Sequence, residues 1–366
     1  MRRVLAGALA LLAAGACSRA RAPITDCAPS KDAHPICGFH NPEDLALLPA
    51  AHVLVVSEMG VPDGPHPGSL SFLALESESR SPAYPLPGVP DAPPRAGWGD
   101  PACPGAPGDK LSPHGLDLAR RPDGALELLV VNHGGRESVE LFEVSDSPKA
   151  PALAWRGCVL APDDALLNDV AALPDGGFVT THFASRAHPL RSVLWGLLRG
   201  STGAVLEWHP GAAMRAIPGT EAPAPNGIAV SPDGETLFVD EYLADELREF
   251  ERRTGRLLAK VQIASPDNVN WAPGGKLLVA SHNAPLNEIM ACGGLEHGQC
   301  PFHFSIVLLD PRDMKDYALY ENVGPPMGGG TSALLVDDQL YVGSFAGDRV
   351  LRVALQSWAM KLVASP

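Results

Sequence analysis

Short apolar runs broken by Gly- and Pro-containing turns recur along this chain, and six stretches share one layout. In the fourth, a polar residue (Asn226) leads into an apolar run at 227–230, a Ser-Pro-Asp-Gly turn and a second β-rich run at 236–242. Pro presets the turn and Gly supplies a positive φ, so the stretch reads as a strand–turn–strand hairpin. The six copies occupy 42–58, 112–133, 167–182, 222–242, 265–282 and 330–344. They are spaced about 40 to about 75 residues apart, the scale of a propeller blade with room for insertions. Further strand-like runs, such as 138–144 and 305–309, lie between them, so each unit supplies two hairpins. The pattern predicts an all-β chain, a six-bladed β-propeller around a central tunnel, as one domain over 39–366.

Two insertions interrupt this rhythm. Residues 77–111 are rich in Pro and Gly with little periodicity and read as a long loop. Residues 185–200 are apolar and predict a partly helical segment, either packed on the propeller rim, or a lid over the channel mouth or a lipid-touching surface.

The chemistry lies at one repeated position. Glu43, Asn168, Asn226 and Asp267 each stand six residues before a proline: Pro49, Pro174, Pro232 and Pro273. A fixed offset in a radial repeat is a fixed place in space, here the start of each innermost strand, so these side chains should converge on the channel. Asp44, Asp169 and Asn268 stand next to three of them. Carboxylates and carboxamides without thiolates are hard oxygen donors, which suit Ca²⁺ better than zinc. Carboxylates gathered in a channel would repel one another without a cation. The acids of the Pro-Asp-Gly turns, Asp123, Asp175 and Asp233, read as turn chemistry only. The second copy differs: His114 leads it and His133 ends its second strand, an arrangement that could serve as a proton-relay dyad beside the cation. His182 and His282 end equivalent strands, so a strand-end histidine alone carries little.

Composition adds three points. The 366 residues include 37 Gly and 37 Pro, in keeping with many short strands joined by turns. A formal charge of -14 argues against nucleic acid as a partner. Arg2 and Arg3 followed by an apolar run read as an export signal over 1–17, with 18–38 as an N-terminal linker. The signal can end at Ala14-Gly15-Ala16, a cleavage site, or at Cys17 as the lipidated first residue of a bacterial lipoprotein. The expected location is therefore periplasmic, membrane-anchored through Cys17, or secreted. Of seven cysteines, setting Cys17 aside leaves six, an even number suited to an oxidising compartment. Neighbour pairing favours Cys27 with Cys37 and Cys292 with Cys300, which leaves Cys103 with Cys158, among fifteen connectivities that stay open.

At these residues the chain resembles the paraoxonase/arylesterase family of calcium-dependent lactonases. The motifs that carry the resemblance are Pro42-Glu-Asp-Leu45, Pro113-His-Gly-Leu116, Leu128-Leu-Val-Val-Asn-His133, Asn168-Asp-Val170, Asn226-Gly-Ile-Ala-Val-Ser-Pro-Asp-Gly234 and Asp267-Asn268. The resemblance implies two calcium ions in the tunnel. A catalytic ion would be held by Glu43, Asn168, Asn226, Asp267 and Asn268, and a structural ion by Asp44, Asp169 and the backbone carbonyl of Leu116. It also implies that His114 and His133 form the family's histidine dyad, activating water against a small-molecule lactone or aryl ester. The chain departs from the family in having no cysteine after Cys300 to tie its ends together, and in carrying Ser281 where the family can have a free cysteine. A gluconolactonase-like sugar lactonase and a non-catalytic ligand-binding propeller with structural calcium are the competing expectations.

Overall fold

The computed structural model describes residues 21–60, 67–293, 295 and 297–365, so the export signal and Cys17 lie outside the described residues. Six four-stranded antiparallel sheets stand around one axis. Their inner strands are Pro42–Leu48, Pro113–Arg120, Ala165–Ala172, Pro225–Val230, Pro266–Ala272 and Gly330–Val336 in blades 1 to 6. Each pairs with the strand that follows it in sequence, so all six expected hairpins are present.

Second strands such as Leu126–Asn132 read as unbroken apolar runs because both of their faces are covered. Leu128 and Val130 pack against Val53 and Val55 of blade 1. Leu129 and Val131 face the other way, onto Val170 and Phe178 of blade 3. The same alternation repeats around the ring, with Val179 of blade 3 meeting Leu237 and Val239 of blade 4 while Phe238 meets Leu277 of blade 5. The core is thus a ring of wedges between blades, not a single centre.

Closure depends on a strand from the N-terminal segment. Ala33–Cys37, inside the expected 18–38 linker, pairs with Arg349–Ala354 and forms the outer strand of blade 6. Cys27–Cys37 is a disulfide, as are Cys103–Cys158 and Cys292–Cys300. The ring therefore shuts by strand pairing, with its disulfide at the N-terminal end alone. The 77–111 insertion is not all loop, since Arg80–Tyr84 is the outer strand of blade 1. Pro82 hid it from a periodicity reading, but on an edge strand a missing N–H is tolerated. Among the described residues three short α-helices decorate the propeller: α1 (Pro189–Leu197), α2 (Leu286–Met290) and α3 (Ser357–Ala364). The first fulfils the helical expectation for 185–200; it packs on Phe178–Ser185 of blade 3 and leaves Leu190, Leu194, Trp195 and Leu198 exposed.

Candidate metal centre and histidine relay

Every inner strand breaks register at the same place. The pairing skips between Pro42 and Asp44, Pro113 and Leu116, Leu167 and Val170, Pro225 and Ile228, Pro266 and Val269, and Gly330 and Ala333. A bulge re-aims side chains out of the ordinary alternation. The first residue of each bulge is Glu43, His114, Asn168, Asn226, Asp267 or Thr331, one per blade. Gly115 and Gly227 occupy the next position, where neighbouring strands come too close for a side chain. A Cβ on Gly115 would stand 2.3 Å from Asp169 Oδ1, and one on Gly227 would stand 2.5 Å from the carbonyl oxygen of Asp267.

The ring is tied by amide-to-carboxylate hydrogen bonds. Asn268 Nδ2 donates to Glu43 Oε1 at 2.7 Å, and Asn226 Nδ2 donates to Asp267 Oδ1 at 2.6 Å. These bonds use the amide nitrogens and leave the amide oxygens over. Glu43 Oε2, Asn168 Oδ1, Asn226 Oδ1 and Asn268 Oδ1 are all buried with no hydrogen-bond partner among the described residues. An unsatisfied buried polar atom costs roughly 1–3 kcal/mol, so four in one ring are a cost that nothing among the described residues offsets. Oxygen atoms of this kind fit a hard cation such as calcium. Among the described residues no three His, Cys, Asp or Glu side chains form a metal-holding group; three of the four orphaned atoms are Asn oxygens.

One layer deeper sit Asp44 and Asp169. Asp44 accepts from Leu45 N–H and from Leu116 N–H, each at 2.8 Å. Asp169 accepts from Val170 N–H at 2.8 Å and from Ile228 N–H at 2.9 Å. Each carboxylate thereby clamps its own inner strand to the inner strand of the next blade. Leu116 meets Asp44 through its N–H, while its carbonyl is the group expected to serve as a ligand. Burial, and then Glu43, push the Asp44 carboxyl up to about 8. Burial, and then Asp44, raise Asp169 well above the usual carboxylate range, and burial with Glu43 does the same to Asp267. Below them a cavity of about 270 Å³ follows the axis, lined by Leu45, Leu116, Asp169, Ile228, Val269 and Leu334 from the six inner strands.

The two histidines are in contact. His114 Nε2 is 3.5 Å from Glu43 Oε1, and His114 Nδ1 is 2.7 Å from His133 Nε2. Burial lowers the His114 pKa, but Glu43, Asp267 and Asp44 outweigh it and the net shift is upward. His182 does not join the dyad; its Nε2 pairs with the carbonyl oxygen of Ala184.

Several participants were not foreseen. Glu137 Oε1 lies 2.9 Å from His133 Nδ1 and extends the dyad. Thr331 and Ser332 complete the ring from blade 6 by donating their hydroxyls to the carbonyl oxygen of Glu43, at 2.7 and 2.9 Å. His282 Nε2 is 3.3 Å from Asp267 Oδ2, and Tyr242 Oη is 2.9 Å from His282 Nδ1. Asp240 is a further fully buried acid, its pKa raised by burial and then by Asp267. The order of the cassettes gave a signal for Thr331 and Ser332, which fill the bulge position; it gave none for Glu137 or Asp240.

A family model described as Arylesterase matches residues 103–344, which include every ring residue except Glu43 and Asp44 of blade 1. Human serum paraoxonase/arylesterase 1 is 26% identical over 254 residues, covering 64% of this chain. Human serum paraoxonase/arylesterase 2 is 25% identical over 253 residues, with the same coverage. The match spans 66% of the length of each of these relatives. Among solved structures, a gluconolactonase from Xanthomonas campestris superposes with a TM-score of 0.53 at 16% identity, covering 92% of this chain and 98% of that one. A luciferin-regenerating enzyme gives 0.52 at 14% identity, over 87% and 92% of the two chains. These two likenesses concern the propeller fold. By the match over blades 2 to 6, the chain belongs to the arylesterase family.

Proposed function

We propose that this protein is a calcium-dependent hydrolase of lactones and aryl esters. The observation that carries the reading is the ring of buried oxygen donors, four of them orphaned, with a histidine relay at its edge. Glu43, Asn168, Asn226, Asp267 and Asn268 would hold one calcium, and Asp44, Asp169 and the Leu116 carbonyl a second. Bound in the ring, calcium supplies Lewis acidity toward an ester or lactone carbonyl and positive charge for the oxyanion. His114 Nε2 faces the ring and takes a proton from the attacking water. His114 Nδ1–H donates to His133 Nε2, which steadies the imidazolium once it forms. The His114 imidazolium returns its proton to the departing oxygen as the acyl C–O bond breaks, which leaves a carboxylic acid and an alcohol, both on one molecule when the substrate is a lactone. Thr331 and Ser332 fix the backbone of Glu43, so its carboxylate is held in a preset place in the ring.

The test is charge removal at constant shape. Glu43→Gln and Asp267→Asn should each lower kcat on phenyl acetate and on a δ-lactone by roughly 100-fold or more, the scale of losing one preorganised electrostatic group. Full activity in either variant would sink the calcium role. The three disulfides support an oxidising compartment, so we place the protein outside the cytoplasm, periplasmic or secreted, with lipidation of Cys17 as the anchored form.

A further inference from the structure

The geometry points to Glu137 as the positioning residue that sets the proton arrangement of the whole relay, an inference that rests on the hydrolase reading above. Glu137 lies four residues after His133, past a Gly-Gly-Arg turn, and its side chain is 5% exposed. Its Oε1 has two neighbours. One is the backbone N–H of Leu167 in blade 3, which donates at 2.7 Å. As a carboxylate, Glu137 has acceptors and no donor, and the backbone N–H occupies one lone pair of Oε1. The other neighbour, His133 Nδ1 at 2.9 Å, must then be the protonated nitrogen. The second oxygen, Oε2, looks toward Arg186 Nε at 3.9 Å, on the segment leading into α1.

Each remaining assignment follows from the one before it. With its proton on Nδ1, neutral His133 presents a lone pair at Nε2. That lone pair accepts from His114 Nδ1–H across 2.7 Å. Neutral His114 therefore holds its proton on Nδ1 and its lone pair on Nε2, the nitrogen that faces Glu43 and the ring. This is the form that can take a proton from water. Reversing the chain gives the opposite result: His133 protonated on Nε2 donates to His114 Nδ1, and neutral His114 turns an N–H toward the substrate. A base in that tautomer cannot act. Glu137 touches neither substrate nor ring; it acts through His133, as a carboxylate that orients an imidazole by binding its far N–H.

The anchor also couples two blades. Leu167 N–H immediately precedes Asn168, a ring donor, so the bond that holds Glu137 lies beside the metal centre. A purely structural role for Glu137 would therefore show itself as loss of calcium or of stability, and the test must separate that from tautomer control.

The decisive measurement is long-range ¹H–¹⁵N NMR of the histidine rings in the folded, calcium-loaded protein labelled with ¹⁵N-histidine. His114→Asn and His133→Asn spectra provide the assignments. Wild type should show the Nδ1–H tautomer at His133 and, when neutral, at His114. In Glu137→Gln, whose amide can either donate or accept, His133 should shift toward Nε2–H. On phenyl acetate, kcat should fall roughly 10- to 100-fold, with KM and the calcium affinity within about twofold of wild type. Glu137→Asp, which keeps the carboxylate, should restore the wild-type tautomer and part of kcat, and it serves as the readout if the Gln variant folds poorly. An Nε2–H tautomer at His133 in wild type, or unchanged tautomers in both variants, would overturn the assignment. The ring spectra do not depend on turnover. A wild-type protein without hydrolysis would thus refute the hydrolase reading while the spectra still decide the role of Glu137.

Discussion

Withdrawal of calcium should make the stability of this protein fall as the pH rises, in a window set by the carboxyls of the tunnel. Without a cation, the Asp44 carboxyl is pushed up to about 8 and Asp169 is raised as well. An unfolded chain releases these protons near the ordinary Asp value of about 3.9. Between those limits the folded, cation-free protein keeps protons that the unfolded chain has lost, so unfolding gains ground as pH rises. His282 has the opposite sign: burial pushes it down to about 4, so up to its ordinary value of about 6.5 the unfolded chain binds the extra proton. Asp310, held at about 2 chiefly by Arg312, acts only in strong acid. Above about pH 6.5 the raised carboxyls therefore act unopposed, in a window up to about pH 8 that Asp267, Asp240 and Glu241, pushed up to about 7, share with Asp44 and Asp169. One retained proton is worth about 1.36 kcal/mol per pH unit, so Asp44 gives about 2 kcal/mol across the window, and Asp169 adds to it in the same direction. At about 2 °C per kcal/mol for a chain of this size, Asp44 alone should lower Tm by roughly 4 °C. Calcium favours the ionised ring carboxylates and should make the drop shallower, while Asp240 and Glu241, outside the proposed ligand sets, keep their share of it. Differential scanning calorimetry in EDTA and in millimolar calcium, at several pH values, measures both slopes. Parallel slopes, or a cation-free Tm that climbs through the window, would refute the reasoning, since carboxyls that titrate identically with and without calcium are not its ligands.

Two further outcomes concern the scaffold. Replacing Cys103 and Cys158 by serine opens a loop with a sequence separation of 55 and should cost about 4 kcal/mol, read as a lower denaturation midpoint with an altered m-value. Phe178→Ala removes a ring that stacks on Trp208 at 5.1 Å in the wedge between blades 2 and 3, and should cost about 3–5 kcal/mol in the same assay.

The part of this architecture legible in the sequence is the part that repeats locally. Strand, bulge, turn and strand all fall within about twenty residues, so Glu43, Asn168, Asn226 and Asp267 keep one offset from a turn proline, and the structure places all four at one bulge. Ala33–Cys37 was not legible, because its partner is Arg349–Ala354 at the other end of the chain and no local period records that pairing. Arg80–Tyr84 was hidden by the proline it tolerates as an edge strand. Thr331 and Ser332 carry no charge and act through the backbone of Glu43, so a scan for acids passes over them. Glu137 lies outside the repeat, in the turn after a second strand, and its function depends on Leu167 in another blade. Offsets reveal what points at the axis; they do not reveal what stands behind it.

The most direct test of the account is hydrolysis of phenyl acetate and of a γ- or δ-lactone by the purified protein, before EDTA, in EDTA, and after calcium is returned. The ring of Glu43, Asn168, Asn226, Asp267 and Asn268 predicts turnover of both substrate types that disappears with the chelator and returns with calcium. Turnover indifferent to EDTA, or no turnover of either substrate by the calcium-loaded protein, would contradict it.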